Sequence, residues 1–319
     1  MTSRHAQPTP GPERHTGKEH FNIPDLKIVP VEMLVLHEHA DEKRVARLEE
    51  RLLQDGYLKN PPVVAPLLDP DSGTDPGPGT GRYVVLDGAN RTCAIKRMGV
   101  PHVLVQVVHY RPPQVELYTW HHLITGRDPA TFLDEIREVK GLTVQHTSLE
   151  EARAALARRS ILAYIVVPVM PPDRAGQPAV YTVDGVNGTE RHNPHDSTVL
   201  LNAMVDTYKG DPQVAIHRVN TDVLEELVPY YDDVSGLVVF PPYTPDDIMR
   251  LAQAGSKVPT GITRHIIRPR ALRVNIPVSV LNSDRTLEDK NAWWHEQLKR
   301  KLAANEVRLY QEPTYLFDE

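Results

Sequence analysis

Apolar positions along the chain follow two rhythms. Short runs rich in β-branched residues, bounded by proline, glycine or polar clusters, predict strands, and recurrences every three or four residues predict helices. LKIVPVEMLVLHEH predicts a short strand and turn that carry His37, Glu38 and His39 to a surface, with order beginning near Ile28. From Asp41 to Gln54, Val45, Leu48, Leu52 and Leu53 recur at near-helical spacing among arginines and glutamates, giving an amphipathic helix stopped at Gly56. PPVVAPLL predicts a strand, and Pro61 and Pro62 assign it to a sheet edge because proline donates no ladder hydrogen bond. RYVVLDGANRTCAIKRMGVPHVLVQVVHY is the clearest unit: strand, turn, helix closed by Gly99, strand. VELYTWHHLITG is read as a second helical region, and Gly126, Asp128 and Pro129 mark a domain junction.

Alternation continues in the second half. Residues 149–158 predict a helix, AYIVVPVM a buried strand, AVYTVDG a strand, TVLLNAMVDTY a helix and VAIHRV another strand. SGLVVFPPYTPDDIMRLAQAG predicts a strand and then a helix opened by a capping box, with Thr244 at the N-cap, Pro245 at the first helical position and Asp247 at the third. VPTGITRHIIRPRALRVNIPVSVL reads as a site-forming loop feeding a strand. Trp293 and Trp294 lie in a last charged helix that serves as a C-terminal arm or in self-association. Four segments are therefore expected: a mobile stretch over 1–23, an α/β domain over 24–127, a second α/β domain over 128–284 and a helical extension over 285–319.

Composition narrows the function classes. At 319 residues, 40% hydrophobic and 24% charged, the chain can bury two ordinary cores. A formal charge of −6 argues against a protein whose main work is gripping a nucleic-acid backbone. The single cysteine, Cys93, excludes an intramolecular disulfide and a four-thiolate metal site, which suits a cytoplasmic setting. The N-terminal residues offer no signal-peptide core, and no later run is long enough to cross a bilayer.

Two clusters bear chemistry. VVLDGANR puts Asp87 at the end of an apolar strand and Arg91 just inside a helix; Gly88 lets backbone approach a ligand, and the first N–H groups of the helix form an anion site. Asp87 is either a Mg²⁺ ligand beside a phosphate held by Arg91, or a helix cap paired with Arg91. His37, Glu38 and His39 form the second cluster, in which Glu38 would accept a proton from an attacking alcohol if it faces the same cleft, the alternative being a solvated strand end. A zinc site on His37 and His39 lacks a third and fourth ligand. Cys93 and Trp120 read as packing residues.

DGANRTCAIKRMG followed by VPHVLVQVV resembles the ParB/sulfiredoxin-like fold. A closer resemblance, over about residues 24 to 280, is to free-serine kinases and the related siderophore-pathway serine kinases, carried by VPVEMLVLHEH, DGYLKNPPVV, VVLDGANRTCAIKRMG, HYRPPQVELYTWHHLITG, PPYTPDDI and PTGITRHIIRPRALRVN. It implies a ParB/sulfiredoxin-like mixed-sheet domain with a second α/β substrate-binding domain. The implied reaction transfers a phosphoryl group from ATP or ADP, with Mg²⁺, to free L-serine, giving O-phospho-L-serine. By that resemblance Glu38 is the general base, Asp87 organises metal and phosphate, Gly88, Ala89, Asn90 and Arg91 hold the nucleotide, and His37, Thr263 and Arg264 contact the amino acid. Two departures narrow it. Alanine and asparagine stand where a sulfiredoxin carries its cysteine before the arginine, and no DNA-reading helix pair follows GANR as in a chromosome-partitioning protein. The competing class is a ParB-like nucleotide-binding regulator acting through a protein or DNA partner; a homodimer is compatible with either.

Overall fold

The computed structural model describes residues 23–67, 81–168, 177–186 and 194–310. The proline-rich start expected to be mobile, and most of the Gly/Pro/Asp loop after PPVVAPLL, lie outside the described residues. In chain order the elements are β1 (Asp25–Pro30), β2 (Leu34–Leu36), α1 (Glu42–Asp55), β3 (Tyr57–Leu58), β4 (Val63–Pro66), β5 (Tyr83–Asp87), α2 (Ala89–Arg97) and β6 (His102–Val107). There follow β7 (Val115–Thr119), β8 (His121–Thr125), α3 (Pro129–Arg137), β9 (Leu142–Thr147), α4 (Leu149–Ala157), β10 (Ala163–Val167), β11 (Ala179–Gly185), α5 (Pro194–Asp206) and β12 (Ala215–Val219). The chain closes with α6 (Leu224–Leu227), β13 (Val234–Val239), α7 (Pro245–Gln253), β14 (Thr263–Ile267), β15 (Ile276–Pro277), α8 (Val278–Leu281) and α9 (Leu287–Ala303).

The first half builds a mixed five-stranded sheet of order β1-β6-β4-β5-β2, and the second a six-stranded sheet of order β12-β8-β13-β10-β11-β9. One face of the first sheet, including Leu34, Leu36, Tyr83 and Val85, forms a core with Val45 and Leu52 of α1, Ala94 and Ile95 of α2 and Trp294 of α9. The opposite face, with Val35, Val63, Val84 and Leu86, packs against Ile248 and Ala252 of α7 and Ile267 of β14, and so joins the two halves through an apolar seam.

Three expectations change. PPVVAPLL is not an edge strand: β4 lies between β6 and β5. Pro61 and Pro62 precede the paired residues and Pro66 ends them, so no proline blocks the central ladder, and Val63 and Val64 are fully buried. VELYTWHHLITG forms two strands instead of a helix. β7 pairs with β14 in a two-stranded ribbon, and β8 is an interior strand of the second sheet, where four of its five residues are buried. A short apolar run of this kind carries no period that separates strand from helix. The second sheet therefore begins before the junction expected at 127. The C-terminal helix returns to the first unit: Trp294 Nε1 donates to the Leu26 carbonyl at 3.1 Å and Asn291 brackets Ile28, so Trp294 is committed to intrachain packing.

Candidate active site

Strand alternation decides where the two carboxylates go. β2 and β5 run parallel with Leu36 opposite Val85, so Glu38 and Asp87 stand two residues beyond the last paired positions of adjacent strands. Side chains two apart share a face. Glu38 therefore follows Leu34 and Leu36, and Asp87 follows Tyr83 and Val85, to the face covered by α1 and α2. Both border one cleft of about 560 Å³, whose other walls include the start of α2 from Gly88 to Arg91, the α1 residues Arg44, Arg47 and Arg51, and Arg218 and Thr260 from the second half. Glu38 and the DGANR segment, expected from the sequence to face one cleft, line the same space.

Asp87 is held by cations. Its Oδ2 accepts from Arg91 Nη2 at 2.8 Å and from Arg270 Nη2. The N-cap of α2 is Gly88 itself, at φ 92° and ψ 27°, and no side chain caps the helix, so the capping alternative for Asp87 falls while its pairing with Arg91 stands. Gly88 is required twice over: L side chains rarely adopt this φ, and a Cβ there would lie 3.0 Å from Arg91 Nη2 and 3.1 Å from Pro62 Cα. Asn90 Oδ1 accepts from the backbone N–H of Asp41, the N-cap of α1, so the starts of two helices converge on the cleft. Converging helix starts and guanidinium groups form a receptor for an anion.

Glu38 is held by neutral groups. Its Oε2 accepts from the Gly261 N–H at 3.2 Å and from Thr263 Oγ1 at 3.3 Å, and Oε1 has no hydrogen-bond partner among the described residues. The segment carrying Glu38 is pinned to the second half: Val258 N–H donates to the His37 carbonyl at 2.9 Å, His39 N–H to the Val258 carbonyl at 3.2 Å, and Thr260 Oγ1 to the His39 carbonyl at 2.7 Å.

His37, expected to touch substrate, points to the other face of the sheet and is 1% exposed. Its Nδ1 meets the Val85 carbonyl at 2.6 Å and its Nε2 meets Thr263 Oγ1 at 3.0 Å; the ring packs edge-on against His265 at 5.3 Å. Burial lowers its pKa, against the pull of the Glu38 charge and the Val85 bond, so the ring is neutral. With Nδ1–H donating to Val85, Nε2 is an acceptor, and the single hydroxyl proton of Thr263 serves two acceptors, His37 and Glu38. His37 thus supports Thr263 from behind the site instead of lining it. Thr263 lies between His37 and Glu38, as a support for both.

Arg264, the next residue on β14, lies outside the lining of the cationic cleft. Its guanidinium is half-buried and stacks over Trp120 at 4.2 Å from the ring centroid, with no carboxylate partner among the described residues. Trp120 is thereby more than core filling. Sequence reasoning missed Arg44, Arg47, Arg51, Lys59 and Arg218 of the cleft and the clamp residue Arg270. The three α1 arginines were open to detection, since spacings of three and four put them on one helical stripe. Arg218, a single arginine in a short strand far along the chain, carries no such signal.

No family model matches the chain. It is similar to the ATP-dependent L-serine kinase SbnI of Staphylococcus aureus, with 24% identity over 294 residues that cover 92% of this chain and 97% of that protein. An ATP-dependent L-serine kinase of Staphylothermus marinus is 28% identical over 118 residues, 37% of this chain and 42% of that protein. Among solved structures, SbnI with a C-terminal truncation superposes with a TM-score of 0.60 at 20% identity, covering 88% of this chain and 97% of that one. A free serine kinase in complex with AMP superposes with a TM-score of 0.64 at 16% identity, covering 82% and 97%. By sequence the chain is a homologue of ATP-dependent L-serine kinases, and it shares its fold with SbnI and with a free serine kinase.

Proposed function

We propose that this chain is a kinase that transfers the terminal phosphoryl group of ATP to the hydroxyl of free L-serine, producing O-phospho-L-serine and ADP. The observation that carries the reading is the shared cleft: a carboxylate held only by neutral donors, Glu38, borders the same space as an anion receptor built from Arg91 and the start of α2. Homology to serine kinases over nearly the whole chain supplies the substrate class. The first sheet with its two covering helices is, on this reading, a ParB/sulfiredoxin-like unit, and the reaction is cytoplasmic.

Each group then has a role. The N–H groups at the start of α2, over Gly88, Ala89 and Asn90, and the Arg91 guanidinium orient the phosphate oxygens without forming covalent bonds, which is the main demand of phosphoryl transfer. Glu38, with Oε1 open, takes the hydroxyl proton as serine attacks phosphorus. Gly261 N–H and Thr263 fix its orientation. Arg264, over the Trp120 ring and outside the lining of the cationic cleft, would receive the serine carboxylate at the edge of the site through its fork of donors and so select an amino acid over a simple alcohol.

Mg²⁺ fits this cleft as an ion brought by the nucleotide. Among the described residues no group of three or more His, Cys, Asp or Glu is placed to hold a metal, and one oxygen of Asp87 already accepts two guanidiniums. Such a donor set matches the usual Mg²⁺ arrangement of one or two carboxylates plus substrate phosphates. Asp87 would hold it, and the ion would supply charge neutralisation on the phosphate oxygens.

The deciding experiment supplies ATP or ADP as donor and free serine, threonine or a seryl peptide as acceptor, and follows O-phosphoserine. ATP-dependent product from free serine alone is the expected result. Nucleotide binding without transfer to any acceptor would replace the kinase with a nucleotide-binding regulator.

A further inference from the structure

The cations of the cleft are not equivalent. Lys59 pairs with Asp55 at 2.8 Å, Arg44 approaches Asp41 at 4.0 Å, and Arg91 is tied to Asp87, whereas Arg47 and Arg51 of α1 and Arg218 of β12 have no ion pair among the described residues. The guanidinium of Arg218, on β12 of the second sheet, is exposed to the cleft and makes no hydrogen bond or ion pair among the described residues. Its guanidinium occupies the space above Gly261: a Cβ on that glycine would fall 2.2 Å from Arg218 Nη2 and 2.5 Å from Cζ. Gly261, at φ 79°, donates its N–H to Glu38. One peptide therefore carries the proposed base on one side and seats a guanidinium on the other. Glu38 and Asp41 attract that guanidinium and Arg44 repels it, but no carboxylate comes within ion-pair distance. A planar group with five N–H donors, seated beside the base without bonding it, is placed for a charge that arrives with the ligand.

We propose that Arg218 is a catalytic residue that binds the terminal phosphoryl group of the nucleotide and stabilises the charge on it during transfer. The inference rests on the kinase reading for its reaction. In that step the serine oxygen forms a bond to the γ-phosphorus as the bond from phosphorus to the bridging oxygen of ADP breaks, and the hydroxyl proton passes to Glu38. The three remaining oxygens of the phosphoryl group hold their negative charge throughout. Arg91, from the first unit, and Arg218, from the second, border the same cleft and meet that charge together, so Arg218 couples the two halves of the molecule to the chemical step.

The test uses the full chain and its Arg218→Ala and Arg218→Lys variants, with thermal melting to confirm that each remains folded. ATP affinity should change less than about threefold while kcat falls about a thousandfold in the alanine variant, the range of a cationic finger in phosphoryl transfer, with the lysine variant in between. Added guanidinium should restore part of the rate to Arg218→Ala and none to Glu38→Gln. Independently of serine, aluminium fluoride should tighten ADP binding to the parent and not to Arg218→Ala, with ADP alone binding both equally. Unchanged kcat in Arg218→Ala beside a serine-phosphorylating parent overturns this assignment and leaves the kinase reading standing. Equal loss of ADP affinity with and without fluoride also overturns it. A parent that fails to phosphorylate serine but shows the Arg218-dependent fluoride effect supports the assignment and removes serine as acceptor.

Discussion

Two carboxylates at equivalent positions of neighbouring parallel strands are treated in opposite ways. Asp87 lies between the guanidiniums of Arg91 and Arg270, and Glu38 lies between a peptide N–H and a threonine hydroxyl. Two guanidinium partners tie the Asp87 carboxylate down as an anchor for the arginines. Neutral donors fix a carboxylate in space and leave a lone pair for a proton, here on Oε1. The contrast comes from different partners, since the strand geometry that delivers the two groups is the same. A glycine stands near each: Gly88 lets Arg91 fold back on Asp87, and Gly261 admits Arg218 beside Glu38.

The strongest way to break this comparison is to remove the proton acceptor and keep its shape. Glu38→Gln retains a hydrogen-bond acceptor for Gly261 and Thr263, so kcat at saturating ATP and serine should fall about 10²–10⁴-fold with ATP affinity nearly unchanged. Equal kcat in a folded variant would take Glu38 out of the base role. A fall in rate that tracks a fall in ATP affinity would make it a positioning group.

Asp87→Asn attacks the other side. It removes the charge between two guanidiniums, so Arg91 and Arg270 lose their anchor; turnover should fall about 10–100-fold, and more Mg²⁺ should be needed for half-maximal rate. A Mg²⁺ titration with an unchanged midpoint would leave Asp87 as a clamp for the arginines alone.

Local pieces of this site were legible in the sequence and distant ones were not. Strand β5, Gly88 and α2 are adjacent in the chain, and their patterns of β-branched run, glycine and helix former settle them without outside help. The capping box at Thr244 and Asp247 is present as read, with both reciprocal bonds made. His37 was misplaced because its fate depends on which face of β2 the second unit covers: one step from Glu38 inverts direction, and β14 and His265 close over it. Arg218 and Arg270 were missed for the related reason that their partners, Gly261 and Asp87, are set by tertiary packing. The helix expected at VELYTWHHLITG failed because its second half, β8, is an interior strand buried on both faces and shows no alternation, and its first half, β7, is a strand only through its pairing with the distant β14.

Arg264 sharpens the comparison from the substrate end. Its guanidinium is stacked on Trp120 and lies beside Thr263, the residue that also touches Glu38. Arg264→Lys keeps the charge and loses the planar fork, so KM for serine should rise about tenfold with nucleotide affinity unchanged. Serine esters should separate the two proteins poorly, because they lack the carboxylate that the fork binds. Unchanged serine KM, or a loss confined to nucleotide binding, would move Arg264 to a structural or phosphate role.

The smallest expected effect is on stability and comes from the histidines behind the site. His122 is 1% exposed, its Nδ1 meets Tyr208 Oη at 3.0 Å and it supports the Gly261 peptide, so it underlies both Glu38 and Arg218. Burial, aided by the Arg218 charge, pushes its pKa down to about 3, and burial pushes that of its neighbour His121 down to about 4. In the unfolded chain both take up a proton near pH 6.5. Between those values the unfolded state binds more protons than the folded one, so stability is complete above about pH 6.5 and falls as the pH is lowered toward the folded pKa values, by up to about 1.4 kcal/mol per pH unit for each histidine. Urea unfolding at pH 7.5 and 5.5 measures this directly. The parent should lose on the order of 2–3 kcal/mol from these two groups. His122→Asn is less stable at pH 7.5, since it gives up the ring contacts with Phe240 and Tyr208, but it should lose about 1.4 kcal/mol less than the parent across the same interval. An identical pH dependence in the two proteins would mean that His122 takes its proton in the folded state as readily as in the unfolded one, and the support behind Gly261 would then be charged and not neutral at the lower pH.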